Sequence, residues 1–330
     1  MKRDALRRKI FQVDASSFEK IALEIFQFQF AANSIYQRFC SLLGRHPENV
    51  FSIEEIPFLP VEFFKDQQVM TGSFAPEKIF ESSGTTAANV SKHFLRDLAL
   101  YEESFLKCFE LFFGKPEDYV ILALLPSYLE RSDSSLVYMV KGIMKRSHRP
   151  ENGFFHYNHS SLYEKLKALE SKLQKTLLIG VSFALLDFAE KFSIPLHHTT
   201  LIETGGMKGR REELTREELH SILKKSFSLD KISGEYGMTE LLSQAYSFGD
   251  GKFQTPPWMK ILLRDINDPA AVSADAADAS GVINIIDLAN LDSCSFLATA
   301  DVGKLNEDST FEVLGRTDFS DVRGCNLMLG

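Results

Sequence analysis

The sequence predicts an α/β fold built on a mostly parallel sheet, and three features point there. Short apolar runs of strand length recur at 119–125, 176–181 and 199–203, the pattern of strands covered on both faces. Helical periodicity fills the intervals, at about 135–145, 160–173 and 183–192, and strand–helix alternation belongs to parallel α/β sheets. Polar bends, two of them rich in glycine, follow the strands, at the place where open α/β sheets hold their ligands.

Taken in order, residues 15–43 read as helix. Phe18, Ile21, Ile25, Phe28 and Ala32 recur at helical spacing, with Ser16 or Ser17 as cap, and this is packing surface. Residues 47–76, punctuated by Pro57, Pro60 and Pro76, read as an irregular connection. A bend of unusual composition follows: Phe80-Glu81-Ser82-Ser83-Gly84-Thr85-Thr86, running on to Ser91-Lys92-His93. Gly84 can take positive φ without a Cβ clash, and such a bend turns successive N–H groups into a concavity suited to an anion. Ser82, Ser83, Thr85 and Thr86 add hydroxyl donors, and Lys92 or His93 adds positive charge. This is the make-up of a polyphosphate cradle, though no Gly-Lys-Ser/Thr closes it as in a P-loop. It is also the make-up of a Ser/Thr-rich surface turn.

Residues 96–113 return to helix, with Tyr101, Phe105, Phe109 and Phe112 as the apolar stripe and Gly114-Lys115-Pro116 as the stop. The basic cluster Lys141, Lys145, Arg146, His148 and Arg149 can hold a phosphate, or be a solvated helix end favoured by the dipole. The strand at 199–203 ends in a second bend, Thr204-Gly205-Gly206-Met207-Lys208-Gly209, before a helix opened by the capping box of Thr215 and Glu218. His197-His198 has no third ligand-type residue at metal spacing and reads as loop. The third bend is Ser233-Gly234-Glu235-Tyr236-Gly237-Met238-Thr239-Glu240. Tyr236 offers a flat face for a ring, and Glu240 offers hard oxygen for Mg²⁺. The alternative is a turn before a helix at 241–246 capped by Thr239. From Lys260 the texture changes to short strands around an Ala/Asp/Ser-rich loop at 268–280, compatible with a small barrel-like, β-rich subdomain.

Composition excludes several classes. At 44% hydrophobic and 25% charged, the 330 residues can bury a real core. The 28 phenylalanines fill that core or line an apolar pocket. A net charge of −8 disfavours non-specific nucleic-acid binding. No apolar run reaches the ~18 residues of a membrane span, and the basic start at 1–8 is followed by no secretory core. Cys40, Cys108, Cys294 and Cys325 match neither metal nor disulfide spacing. A cytoplasmic protein with reduced thiols is expected.

In order, the bends resemble those of the adenylate-forming enzymes: acyl-CoA synthetases, luciferases and adenylation domains. Ser82-Ser83-Gly84-Thr85-Thr86 is similar to their phosphate loop, and Thr204-Gly205-Gly206 to their adenine-side glycine segment. Tyr236-Gly237-Met238-Thr239-Glu240 is similar to their most specific short motif. Thr299-Ala300-Asp301 resembles their Thr-Gly-Asp, whose aspartate binds ribose, and Gly315-Arg316-Thr317-Asp318 their hinge-proximal Gly-Arg-x-Asp. Glu81-Ser-Ser-Gly-Thr-Thr86, Leu125-Pro-Ser-Tyr-Leu-Glu-Arg131, Glu203-Thr-Gly-Gly206 and Arg323-Gly324-Cys325 narrow the resemblance to the LuxE-type acyl-protein synthetases.

That resemblance implies ATP and Mg²⁺ as cofactors, a fatty acid or other carboxylate as substrate, and transfer of the activated acyl group to Cys325 for an acyl-reductase partner. It implies that Ser82, Ser83, Gly84, Thr85, Thr86, Gly205, Gly206, Tyr236, Gly237, Met238, Thr239, Asp301 and Arg316 bind the nucleotide. Glu240 would hold Mg²⁺, and Lys92 is the candidate catalytic cation. Arg323 near Cys325 would favour a thiolate, although an inert thiol is the commoner fate of a free cysteine. The implied organisation is a helical segment over 1–80, a nucleotide- and acyl-binding core over 81–257 and a β-rich subdomain over 258–330. The sequence departs from the family at Ala87 and Ala300, where glycine is usual, and it ends where the mobile C-terminal domain would begin. Loss of that domain, with its adenylation lysine and pantetheine tunnel, is expected to disfavour coenzyme A and favour a resident thiol. The alternatives are a carboxylate–CoA ligase whose C-terminal domain comes from another chain, and a non-catalytic nucleotide- or acyl-binding descendant.

Overall fold

The structure, a computed structural model, describes residues 3–82, 90–126, 133–205, 214–266, 268, 271–274 and 279–317. The chain opens with α1 (Arg3–Ile10), α2 (Phe18–Ala32) and α3 (Ser34–Leu42), then β1 (Leu59–Pro60) and the short α4 (Phe63–Asp66). A two-stranded ribbon, β2 (Lys78–Glu81) and β3 (Lys92–Leu95), leads into α5 (Leu98–Phe113). The α/β part is β4 (Val120–Leu124), α6 (Ser135–Ser147), β5 (Gly153–Phe154), α7 (His159–Ser171), β6 (Thr176–Val181), α8 (Ser182–Lys191), β7 (Thr199–Thr204), α9 (Arg216–Phe227) and β8 (Ser233–Tyr236). Shorter connections follow: β9 (Ala245–Ser247), β10 (Phe253–Gln254), β11 (Met259–Arg264), β12 (Val272–Ser273), β13 (Ser280–Asp287), β14 (Phe296–Leu305) and β15 (Phe311–Arg316).

The strands form one mixed sheet in the order β12-β11-β13-β14-β15-β10-β9-β8-β7-β6-β4-β5, with β1 added on β14. From β5 to β8 every pairing is parallel. From β8 to β12 every pairing is antiparallel. The expected α/β class is therefore observed. The apolar runs explain the parallel half: every residue of β4 and β6 is buried, as strands covered by helices on both faces must be. Thr215 and Glu218 form the predicted capping box of α9. Among the described residues no helix is long and apolar enough to cross a membrane.

Three local expectations need correction. The helix expected over 15–43 is two helices, broken at Asn33. Asn33 Oδ1 caps α3 by accepting from Tyr36 N at 3.0 Å, while its Nδ2 donates to Ser293 O at 3.0 Å; a buried asparagine tied to a distant loop outweighs local periodicity. The helix expected at 241–246 is absent. The Leu242 and Ser243 amides donate to Asp287 Oδ2 at 2.8 and 3.0 Å, which a first helical turn would also allow, but Ala245–Ser247 pairs as a strand with β8 and β10 and leaves no length for a helix. The return strand of the ribbon, Lys92–Leu95, escaped the sequence reading because four residues are too few for a periodicity to show.

The ribbon is fastened to the third bend through His93. The ring is buried, packs edge-on to Phe64 at 5.7 Å and donates from Nδ1 to Thr239 O at 2.8 Å. Burial pushes this imidazole down to about 4, below its ordinary 6.5. A depressed histidine contributes stability that is complete above the unfolded value and is lost as pH falls from about 6.5 toward 4. Relative to a His93→Gln variant, the wild type should lose an extra ~1 kcal/mol per pH unit across pH 4.5–6. Urea denaturation at each pH measures the difference, and parallel stability–pH curves for the two proteins would refute it.

Candidate active site

The carboxyl ends of β7 and β8 meet the junction where the sheet changes from parallel to antiparallel, and three expected residues make direct contact there. Tyr236, the last residue of β8, donates its hydroxyl to Asp301 Oδ2 at 2.7 Å. Arg316 Nε donates to Asp301 Oδ1 at 2.9 Å. Asp301 and Arg316 face each other across β14 and β15, so the sheet register itself brings them together. Asp301 is 6% exposed, whereas the Arg316 side chain is 76% exposed. The carboxylate is thus a fixed acceptor and the guanidinium a solvent-side partner.

The Asp301 backbone is fixed as well. Its N–H donates to Thr299 Oγ1 at 3.1 Å, and that hydroxyl donates to Ile283 O at 2.8 Å. Arg264 reaches beneath to Thr299 O at 2.5 Å and Asn284 Oδ1 at 2.6 Å. The Tyr236 ring packs against Phe311 at 5.5 Å and Phe253 at 6.0 Å. Burial, then the nearby Asp301 charge, holds the Tyr236 phenol well above its ordinary value, so it stays a hydrogen-bond donor.

Glu240 is 7% exposed. Burial raises its carboxyl, while a hydrogen bond with Ser91 and the charge of Arg316 oppose the shift. Asn290 Nδ2 holds the Glu240 carbonyl at 2.7 Å. Through Ser91 and His93 the ribbon therefore lies against Thr239 and Glu240. Ser82 and Ser91 close the ribbon's neck: Ser82 N donates to Ser91 O at 3.0 Å, and Ser91 N to Ser82 Oγ at 2.9 Å. Lys92 pairs across the ribbon with Glu81 at 3.8 Å, both side chains being more than a third exposed. Gly205 follows β7 with φ +68°, a left-handed conformation that glycine adopts without a Cβ penalty. Gly237 is exposed, and Met238 and Thr239 are half-buried. Ser83, Gly84, Thr85, Thr86, Gly206 and Cys325 lie outside the described residues.

Two carboxyls at this site went unremarked in the sequence. The Thr204 hydroxyl donates to Glu235, and the Ser182 hydroxyl donates to Glu203. Burial, with the Glu203 charge adding to it, pushes Glu235 up to about 7. The available signal was glutamate at the ends of two neighbouring strands. Among the described residues no group of three or more His, Cys, Asp or Glu side chains could hold a metal ion. A nucleotide-bound Mg²⁺ needs less, since it takes one or two carboxylates and fills its shell with phosphate oxygens and water. Glu240, buried beside the ribbon's neck, fits that demand. Cys40, Cys108 and Cys294 are buried, and burial pushes their thiols up.

No family model matches the sequence, and a search of the curated proteins finds no match. Solved structures do match. A 2-hydroxyisobutyryl-CoA ligase in complex with 2-HIB-AMP and CoA aligns over 94% of this chain and 70% of its own, with TM-score 0.69 at 13% identity. ATP-bound MatB from Rhodopseudomonas palustris aligns over 74% of this chain and 49% of its own, with TM-score 0.53 at 16% identity. The O-succinylbenzoate coenzyme A synthetase MenE from Bacillus subtilis, in complex with ATP and magnesium, aligns over 72% and 49%, with TM-score 0.51 at 16% identity. The chain thus spans 70% of the first of these enzymes and about half of the other two. At these identities what is shared is the fold, and that fold is the N-terminal domain of the adenylate-forming enzymes.

Proposed function

We propose that this protein activates a carboxylic acid, a fatty acid on the family resemblance, with ATP and Mg²⁺, and passes the acyl group to the thiol of Cys325. The observation that carries the nucleotide site is the contact of Asp301 with both Tyr236 and Arg316 at the carboxyl end of β8. A buried carboxylate with a fixed backbone is suited to the two hydroxyls of a ribose. The Tyr236 ring beside it offers a face for adenine, and exposed Arg316 can follow ribose or phosphate. Residues 82–86 would hold the polyphosphate, Gly205 and Gly206 would let the chain approach the base, and Lys92 is the candidate cation. Glu240 would hold Mg²⁺, which when bound neutralises charge on the phosphate oxygens.

The chemistry is positioning and charge stabilisation. A carboxylate oxygen of the acid attacks the α-phosphorus, and pyrophosphate leaves with the electrons of the broken P–O bond. The acyl adenylate is a mixed anhydride, so a thiolate attacks its carbonyl, AMP departs and a thioester forms. Cys325 is the proposed thiol because it follows Arg323 and matches the acylated position of the LuxE-type enzymes. An acyl reductase would receive the product, and the reaction would take place in the cytoplasm.

A second reading takes coenzyme A as the acceptor; it is favoured by the likeness to a CoA ligase solved with CoA. Intact-mass spectrometry after incubation with ATP, Mg²⁺ and a panel of fatty acids separates the two. The expected result is an acyl adduct on wild type that Cys325→Ser abolishes. Pyrophosphate release with no adduct, and turnover only on adding coenzyme A, would establish the second reading. An absence of ATP binding by calorimetry would leave neither.

A further inference from the structure

The turn from β6 into α8 lies beside the end of β7. Val181 and Thr204 are register partners, so Ser182, the next residue, stands against Gly205. The Ser182 hydroxyl contacts two oxygens of that strand end: the Glu203 carboxyl, and Gly205 O at 2.5 Å. Ser182 is 2% exposed, and Glu203 is half-buried. Glu203 and Gly234 are register partners on β7 and β8, and side chains two residues apart on a strand share a face. Glu203 is therefore on the face of Tyr236, which reaches Asp301.

This cluster is short of one proton. A hydroxyl has a single donor, and an ionised carboxyl and a carbonyl have none. With Glu203 ionised, the Ser182 proton goes to the carboxylate, the stronger acceptor, and Gly205 O loses its donor. With Glu203 protonated, both contacts are hydrogen bonds: the acid donates to Ser182 Oγ, and Ser182 donates to Gly205 O. Burial raises the Glu203 carboxyl, while the Ser182 hydrogen bond and the Arg216 charge oppose the shift. Arg216 spends its guanidinium on Val313 O at 3.2 Å and on the face of the Phe253 ring at 5.3 Å. Glu235, coupled to Glu203 by charge, disfavours ionisation of both acids at once.

We propose that Glu203 and Ser182 are positioning residues for the nucleotide: the protonated acid turns Ser182 onto Gly205 O and fixes Gly205 where the chain approaches the base. This rests on the adenylation reading above. Gly205 has φ +68°, and glycine samples both signs of φ, so its carbonyl is free to turn once the hydrogen bond is lost. The competent state is the protonated one. ATP binding should therefore be strongest below the Glu203 transition and weaken as pH rises through it.

The test is the KM for ATP in ATP–pyrophosphate exchange by the full chain, followed from about pH 5 to about pH 9 in wild type, Glu203→Gln and Ser182→Ala. Glutamine carries the N–H that replaces the acid proton and cannot lose it. Wild type should match Glu203→Gln at the acid end and rise about three- to tenfold above it as pH increases. The ratio of the two, an isosteric pair, cancels the titration of ATP itself. Ser182→Ala should raise KM by the same factor at the acid end, with kcat within about twofold. A wild-type to Glu203→Gln ratio that stays flat while both support exchange overturns the positioning role alone. An effect confined to kcat, or a Ser182→Ala KM equal to that of wild type at the acid end, does the same. Failure of wild type to support exchange with any of a panel of acids overturns the adenylation reading, and the positioning role with it.

Discussion

Replacing Asp301 with alanine should weaken ATP binding roughly a hundredfold. Two hydrogen bonds from ribose hydroxyls to the carboxylate would be lost, at about 1.5 kcal/mol each once desolvation is netted out. The free protein already shows what the carboxylate does with donors: both oxygens are used, one by the Tyr236 hydroxyl and one by Arg316. A ribose would compete more easily for the Arg316 side than for the tyrosine side, because the arginine is 76% exposed and loses little on moving back to water. Tyr236→Phe, which removes one neighbour and leaves the carboxylate, should therefore cost only about threefold to tenfold. Calorimetric titration with a non-hydrolysable ATP analogue measures both. A dissociation constant within threefold of wild type for Asp301→Ala would place the nucleotide elsewhere.

The parallel half of the sheet was readable because burial on both faces leaves a local trace. The runs in β4 and β6 are apolar because helices cover them, and the capping box at Thr215 follows from four adjacent residues. The junction of β8, β14 and β15 was partly readable in another way. Tyr236 and Asp301 are 65 residues apart, and no periodicity links them; only the ordered series of motifs suggested a shared cleft. The registers then supply what motifs lack. They set Asp301 against Arg316 and put Glu235 on the face opposite Tyr236.

Where expectation and structure differ, a partner distant in sequence has taken over a local backbone choice. Residues 241–246 have an acceptable helical pattern with Thr239 as cap, yet Ala245–Ser247 pairs as a strand with β8 and β10. Asn33 divides α2 from α3 through a bond to Ser293. Glu235 looked like one more polar residue in a glycine bend, and only the fold brings the Thr204 hydroxyl of the neighbouring strand to it. Each is a contact between segments remote in sequence, and composition carries no record of such pairings.

The same logic makes Asp287→Ala the most destabilising single change expected. Asp287 is fully buried and accepts from Leu242 N at 2.8 Å, Ser243 N at 3.0 Å, Ser243 Oγ at 2.6 Å and Ala289 N at 3.1 Å. Burial raises its carboxyl, and those four donors oppose the shift. Ser243 also receives Trp258 Nε1 at 2.9 Å and lies 3.1 Å from the Ser104 hydroxyl, so the network ties β13 to α5 and to the segment that carries Glu240. Alanine strands several donors in a dry interior, at about 3–5 kcal/mol. Asparagine keeps the shape but turns N–H groups toward the N–H groups already present, and should cost about 2 kcal/mol. Urea unfolding gives both values; a loss under about 1 kcal/mol for alanine would mean that water reaches these amides. Because the released segment holds Glu240, the alanine variant should also need more Mg²⁺ for half-maximal exchange under conditions where it remains folded, a shift that loss of stability alone does not produce.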